Sequence, residues 1–107
     1  MDDIRRAALP LPGARELDWL GQPAFQVGSK GFVHVWKGGI FMKLESNHQE
    51  LLFEARPEIF RPMIAGAMRW SWVEIDALDA DELAELVLEA WTQVVPKKVS
   101  RPYLASL

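Results

Sequence analysis

The sequence predicts an α+β domain in two layers, an antiparallel β-sheet of about four to five strands with helices packed on it. Three observations lead there. Leu20 to Leu44 reads as three short strands joined by glycine-containing turns. Two later segments open with helix-capping patterns and continue with apolar residues at helical spacing. Between them, Trp70 to Ile75 alternates aliphatic with aromatic or charged residues, as a strand does.

The chain of 107 residues suits one domain spanning residues 1–107, with five Trp and five Phe to fill a core. There is no cysteine, which removes disulfides and thiolate metal sites and fits a reducing compartment. The start, Met-Asp-Asp-Ile-Arg-Arg, is not a signal peptide, and no apolar run approaches the roughly 20 residues of a membrane helix. The expectation is a cytoplasmic protein with no membrane partner. The net charge of −3 argues against nucleic-acid binding as a bulk property. Its distribution is uneven, because the acids cluster from Glu45 to Glu89. The stretch between Trp19 and Leu44 carries Lys30, Lys37 and Lys43 and no acid, and Ala90 to Leu107 carries Lys97, Lys98 and Arg101 and no acid.

Asp3 can cap a short helix over Ile4 to Leu9, stopped by Pro10 and Pro12. Ala14 to Leu20 is ambiguous. Ala24 to Val27 opens the first strand, Gly28 to Gly31 turns, Phe32 to Trp36 is the second strand and Ile40 to Leu44 the third. Gly38-Gly39 suits a two-residue turn with positive φ. That turn would pair Lys37 with Ile40, Trp36 with Phe41, Val35 with Met42, His34 with Lys43 and Val33 with Leu44. One face would then show Val33, Val35, Ile40, Met42 and Leu44, all aliphatic. The other would show Phe32, His34, Trp36, Phe41 and Lys43, aromatic and cationic.

Ser46 with Gln49, or Asn47 with Glu50, can form a capping box for a helix that runs to about Arg56, before Pro57. Glu58 to Met68 is interrupted by Pro62 and Gly66, and Phe60 and Met63 are expected to plug the core there. If Val73 and Ile75 join the aliphatic face, Trp70 and Trp72 join the aromatic one. Asp79 to Glu82 is a second capping box. Leu83, Leu86, Val87, Ala90, Trp91 and Val94 form the apolar stripe of a helix that covers the aliphatic face and ends before Pro96. Glu85 and Glu89 are placed in solvent.

This ordered set resembles the MmcQ/YjbR-like family of small bacterial proteins. The matching residues are Leu11-Pro12-Gly13, Gly21 to Val27, Lys30-Gly31-Phe32, Met42-Lys43-Leu44, Pro57, Phe60, Pro62, Trp72-Val73 and Ala90 to Lys98. Trp91 stands where the family usually has tyrosine, Arg69 and Ser71 where it often has glycine, and Gln26 where arginine is common. The resemblance implies an antiparallel sheet with helices, similar to secretion-chaperone-like folds. It also implies DNA binding, because the family has been likened to a double-wing DNA-binding domain, an analogy of fold alone.

No residue pattern carries catalysis. His34 and His48 lack metal-ligand spacing, no serine sits in a nucleophile elbow, and Gly28-Ser29-Lys30-Gly31 lacks Walker spacing. The expectation is a non-enzymatic binding module with no cofactor and no metal. Lys30, Lys37, Lys43, Lys97, Lys98 and Arg101 are the candidate DNA contacts, the first three as one wing. Phe32, Trp36, Phe41, Trp70 and Trp72 are the candidate aromatic face. Aromatic rings with interleaved cations stack bases and hold phosphates. The competing reading buries the rings as a second core layer under the N-terminal helix and the Glu58 to Met68 segment, since soluble monomers rarely expose so large an apolar patch. A protein-interaction or chaperone-like module, including self-association, is the alternative function. A small-ligand pocket between the sheet and Glu58 to Met68 is a third.

Overall fold

The computed structural model describes residues 2–107. Helix α1 spans Asp2–Ala8. Strands β1 (Ala14–Trp19), β2 (Gln22–Val27), β3 (Lys30–Trp36) and β4 (Gly39–Met42) follow, then helix α2 (Ser46–Ala55), strands β5 (Phe60–Ala65) and β6 (Met68–Val73), a 3-10 turn at Ile75–Ala77, and helices α3 (Ala80–Thr92) and α4 (Lys97–Ala105). The six strands form one sheet in the order β1-β2-β3-β4-β6-β5, with every neighbouring pair antiparallel. The α+β class and the helix-on-sheet arrangement stand as expected, with more strands. The two segments that sequence left open, 14–20 and 58–68, supply the sheet edges β1 and β5.

The hairpin turns follow from local chemistry. Leu20-Gly21 and Lys37-Gly38 each place two successive residues at positive φ, at 53° and 81° and at 50° and 77°. This is the primed turn whose twist matches a right-twisted hairpin. The β3–β4 turn is therefore Lys37-Gly38 rather than Gly38-Gly39. Val33 pairs with Met42, His34 with Phe41, Val35 with Ile40 and Trp36 with Gly39. Moving the turn by one residue shifts the pairing by two. Each side chain keeps its face, and the predicted sorting survives the wrong pairing.

One exception is Phe32. Phe25 pairs with Val33 but Gln26 pairs with Gly31, so Phe32 is the extra residue of a β-bulge. The bulge turns its ring to the same side as Val33. Phe32 is fully buried in the aliphatic core, and its assignment to the aromatic face is corrected.

That core joins Val33, Ile40, Met42, Leu44 and Val73 to Ile4 and Ala8 of α1 and to Leu83, Leu86, Val87, Ala90 and Trp91 of α3. The indole of Trp91, 0% exposed, donates to the Pro12 carbonyl at 2.9 Å and so ties α3 to the turn before β1. Arg5 fixes α1 to β1 by donating twice to Glu16, at 2.7 and 2.9 Å, which holds the Glu16 carboxyl below the usual carboxylate range. Phe60 is in the core as expected. Met63 instead lies beside Trp70 on the opposite face.

The caps differ in detail. Helix α1 already includes Asp3, whose carboxylate accepts from Arg6 at 3.1 Å. Helix α2 is capped by Glu45, which accepts from the backbone N–H groups of Asn47 and His48. Gln49 is therefore free for other work: it is buried and its Oε1 accepts from the Ser71 hydroxyl at 2.7 Å. Asp79 caps α3 as predicted, accepting from Glu82 N–H at 2.8 Å, while the Glu82 side chain turns to Arg56. Glu89 is half-buried rather than in solvent. It accepts the Glu45 N–H at 3.0 Å and meets Nδ1 of His48 at 2.6 Å.

Candidate nucleic-acid interface

Side-chain alternation assigns the sheet's second face. From the registers, Arg15, Leu17 and Trp19 of β1, Gln22, Ala24 and Gln26 of β2, and His34 and Trp36 of β3 point away from α1 and α3. So do Phe41 of β4, Arg61 and Met63 of β5, and Trp70 and Trp72 of β6. None of these is an acid. None of the six aromatic or imidazole rings on this face belongs to the core that holds the helices. The lid predicted for this face does not exist. The N-terminal helix docks on the aliphatic side, and Glu58 to Met68 contributes a strand of the sheet itself. With that segment in the sheet, the cavity it borders lies between the β5 edge and α2, lined by Pro62, Ile64, Trp70, Gln49 and Phe53.

The rings shield one another instead. His34 stacks on Phe41 at 5.2 Å with 8° between planes, and the edges of Trp19 and Trp70 meet it at 4.9 and 5.2 Å. Trp72 stands against Phe41 at 5.1 Å, and Trp36 leans on Trp19 at 5.3 Å. Phe41 and Trp70 are buried in this way, while Trp36 and Trp72 stay part-exposed and Trp19 is 38% exposed. Burial without a hydrogen-bond partner for Nδ1 pushes the His34 pKa down, so its imidazole is neutral near pH 7 and adds no cation to the face.

The cations lie at its two ends. Lys37, in the β3–β4 turn, sits 5.8 Å from the Trp36 ring centre. Arg61 faces Trp72 across the β5–β6 ladder and approaches Glu74 at 3.9 Å. Lys37, Gly39, Arg61 and Trp72 border one open cleft of about 390 Å³. Lys30 is at the other end of β3, roughly 20 Å away at about 3.3 Å per strand residue. Lys43 belongs to that end, since its N–H donates to the Phe32 carbonyl at 3.0 Å. The proposed wing of Lys30, Lys37 and Lys43 is therefore split.

Lys30 instead borders a groove with Val94, Val95 and Pro96, directly before Lys97. Lys97 and Lys98 start α4 with no acid in its first turn, and Arg101 follows one turn later on the same exposed helix. Sequence missed Arg15, Trp19 and Arg61 as members of the face, because their segments were not assigned as strands. Among the described residues, no group of three or more His, Cys, Asp or Glu side chains is placed to hold a metal ion. No described helix is long and apolar enough to cross a membrane.

A six-stranded antiparallel sheet with helices on one face and an acid-free aromatic surface on the other defines a small α+β domain with one open sheet face. The chain belongs to the YjbR family, whose family model matches residues 9–93. Its fold is similar to the crystal structure of a Deinococcus radiodurans protein with a DUF419 domain. That comparison gives a TM-score of 0.74 and 23% identity over 97% of this chain and 86% of the other. No curated protein matches the chain.

Proposed function

We propose that this chain is a non-enzymatic cytoplasmic binding module whose ligand is nucleic acid, DNA in the first instance, held mainly through its phosphates. The observation that carries this reading is the charge of the open sheet face. Its strand residues include Arg15, Arg61 and several rings but no acid, in a chain of net charge −3. Lys37 and Lys43 extend it at either end. Surplus acid on the helical side disfavours non-specific attraction of polyanions there, and Lys97, Lys98 and Arg101 of α4, next to the groove that Lys30 borders, offer a second cationic cluster. A handful of phosphate contacts gives weak binding that falls steeply with salt, by roughly 0.9 in the log–log slope for each phosphate neutralised on duplex DNA.

Titration of labelled DNA at low and moderate salt tests this. Saturable, salt-sensitive binding weakened by Lys37→Gln and Arg61→Gln supports it, and no binding at low salt removes it. A protein partner is the second reading, favoured by the apolar hairpin tip where Trp19 is 38% and Leu20 69% exposed. In that case light scattering or partner capture responds to Leu20→Ser, and DNA binding is absent.

A further inference from the structure

We infer that the nucleic acid this face takes is single-stranded, with bases stacked on Trp36 and Trp72 and the flanking phosphates held by Lys37 and Arg61. The inference rests on the nucleic-acid reading above and specifies the form of ligand.

Two ring-and-cation pairs carry it. Trp36 has Lys37 at 5.8 Å from its ring centre, and Trp72 has Arg61 as its cross-strand partner. The two rings belong to β3 and β6 with only β4 between them, so their strands lie about 10 Å apart across the sheet. Gly39 opens the floor between them. A Cβ there would lie 2.9 Å from Cζ3 of Trp72, so the absent side chain lets that ring lean over the backbone. Both rings are part-exposed, while Phe41 and Trp70, which support Trp72 and His34, are buried. The arrangement is a supported platform of two part-exposed rings with a cation near each, Arg61 being within 3.9 Å of Glu74.

Part-exposed rings of this kind select the ligand. A duplex hides its base faces inside the stack and offers only edges within grooves and phosphates outside. The sheet is about 24 Å across for six strands, and a major groove is about 12 Å wide, so rings on the sheet face cannot reach duplex bases. A single strand presents its base faces directly, and aromatic stacking on them tolerates any sequence. The absence of acids on the face leaves the phosphates unopposed, apart from Glu74 beside Arg61.

The test is fluorescence anisotropy at low salt with labelled oligothymidine and with a duplex of equal length, using wild type, Trp36→Leu, Trp72→Leu and Lys37→Gln. Single-stranded DNA is expected to bind more tightly than duplex. Each Trp→Leu change should weaken it by roughly tenfold, leave duplex binding unchanged, and be partly rescued by Trp→Phe. Lys37→Gln should lower the salt slope for the single strand by about 0.7. Quenching of wild-type indole fluorescence by oligothymidine, and not by duplex, gives the same answer should a variant fail to fold. Equal or tighter duplex binding that is indifferent to Trp36 and Trp72 overturns the inference and leaves the nucleic-acid reading in place. No binding to either probe overturns both.

Discussion

The imidazole of His34 lies almost parallel to the ring of Phe41, at 5.2 Å and 8°, with no hydrogen-bond partner for its buried Nδ1. Gly31 makes room for it, since a methyl group there would collide with Nε2. The ring is held by aromatic edges and not by a charge.

Burial therefore lowers the His34 pKa in the folded state, while the unfolded chain protonates near the ordinary value of about 6.5. Between those two values the unfolded state binds more protons, so stability rises with pH across this window and falls as pH drops below about 6.5. His34→Phe should flatten the Tm-against-pH curve below about pH 6.5. The two proteins differ at this one position, so the difference between the two curves belongs to His34. Parallel curves would contradict the buried, neutral imidazole.

Lys37 occupies a left-handed position, at φ 50°, directly before Gly38. Asparagine tolerates that conformation better than lysine, and Asn-Gly is the preferred pair for this turn. Lys37→Asn should leave Tm unchanged or raise it while weakening nucleic-acid binding. Thermal melts and a DNA titration on the same preparation separate the two effects. A loss of both together would mean that the turn is organised around the lysine side chain.

Trp91 is fully buried, and its indole N–H is matched to the Pro12 carbonyl at 2.9 Å. Trp91→Phe keeps most of the apolar volume but strands that carbonyl, and should cost about 1–3 kcal/mol in denaturant unfolding. Trp91→Ala adds a cavity and should cost about 3–5 kcal/mol. Near-equal losses would show that packing alone holds this joint.

The Ser71 hydroxyl and the Gln49 amide oxygen satisfy each other at 2.7 Å in a buried site between β6 and α2. Ser71→Ala leaves a buried acceptor without its donor and should destabilise by about 1–3 kcal/mol. Adding Gln49→Leu should recover part of that loss, because removing both partners is cheaper than removing one. A purely additive double variant in urea melts would rule out the coupling.

Alternation carried much of the fold from sequence alone. Val33, Val35, Ile40, Met42 and Val73 share the aliphatic face and Trp36, Phe41, Trp70 and Trp72 the other, because side-chain parity survives an error of two in register. Parity could not report Phe32, since a bulge is set by how β2 and β3 twist together and leaves no pattern within either strand. Arg15 to Trp19 escaped notice because charged residues interrupt the alternation on an edge strand, as edges often require. Pro62 masked β5 in the same way, being tolerated only where no partner needs its N–H. Helix α4 was missed because Pro102 falls inside it. Of the candidate site, the rings were legible and the grouping of the lysines was not, since Lys30 and Lys37 are near in sequence but sit at opposite ends of one strand.

The connectivity of the sheet also bears on how the chain assembles. Four of its five strand pairings join consecutive strands across two-residue turns, and hairpins of this kind form within about 1–10 μs. Only β4 with β6 must close a loop that contains α2 and β5, and that seam is sewn by Ile40, Phe41 and Met42 against Val73, Trp72 and Ser71. Closure entropy falls chiefly there and on the docking of α1 against α3 from opposite ends of the chain. The Phe41–Trp72 contact thus lies on the one seam between the two hairpin modules, so the ring pair at the centre of the open face also belongs to the contact that closes the longest loop of the sheet.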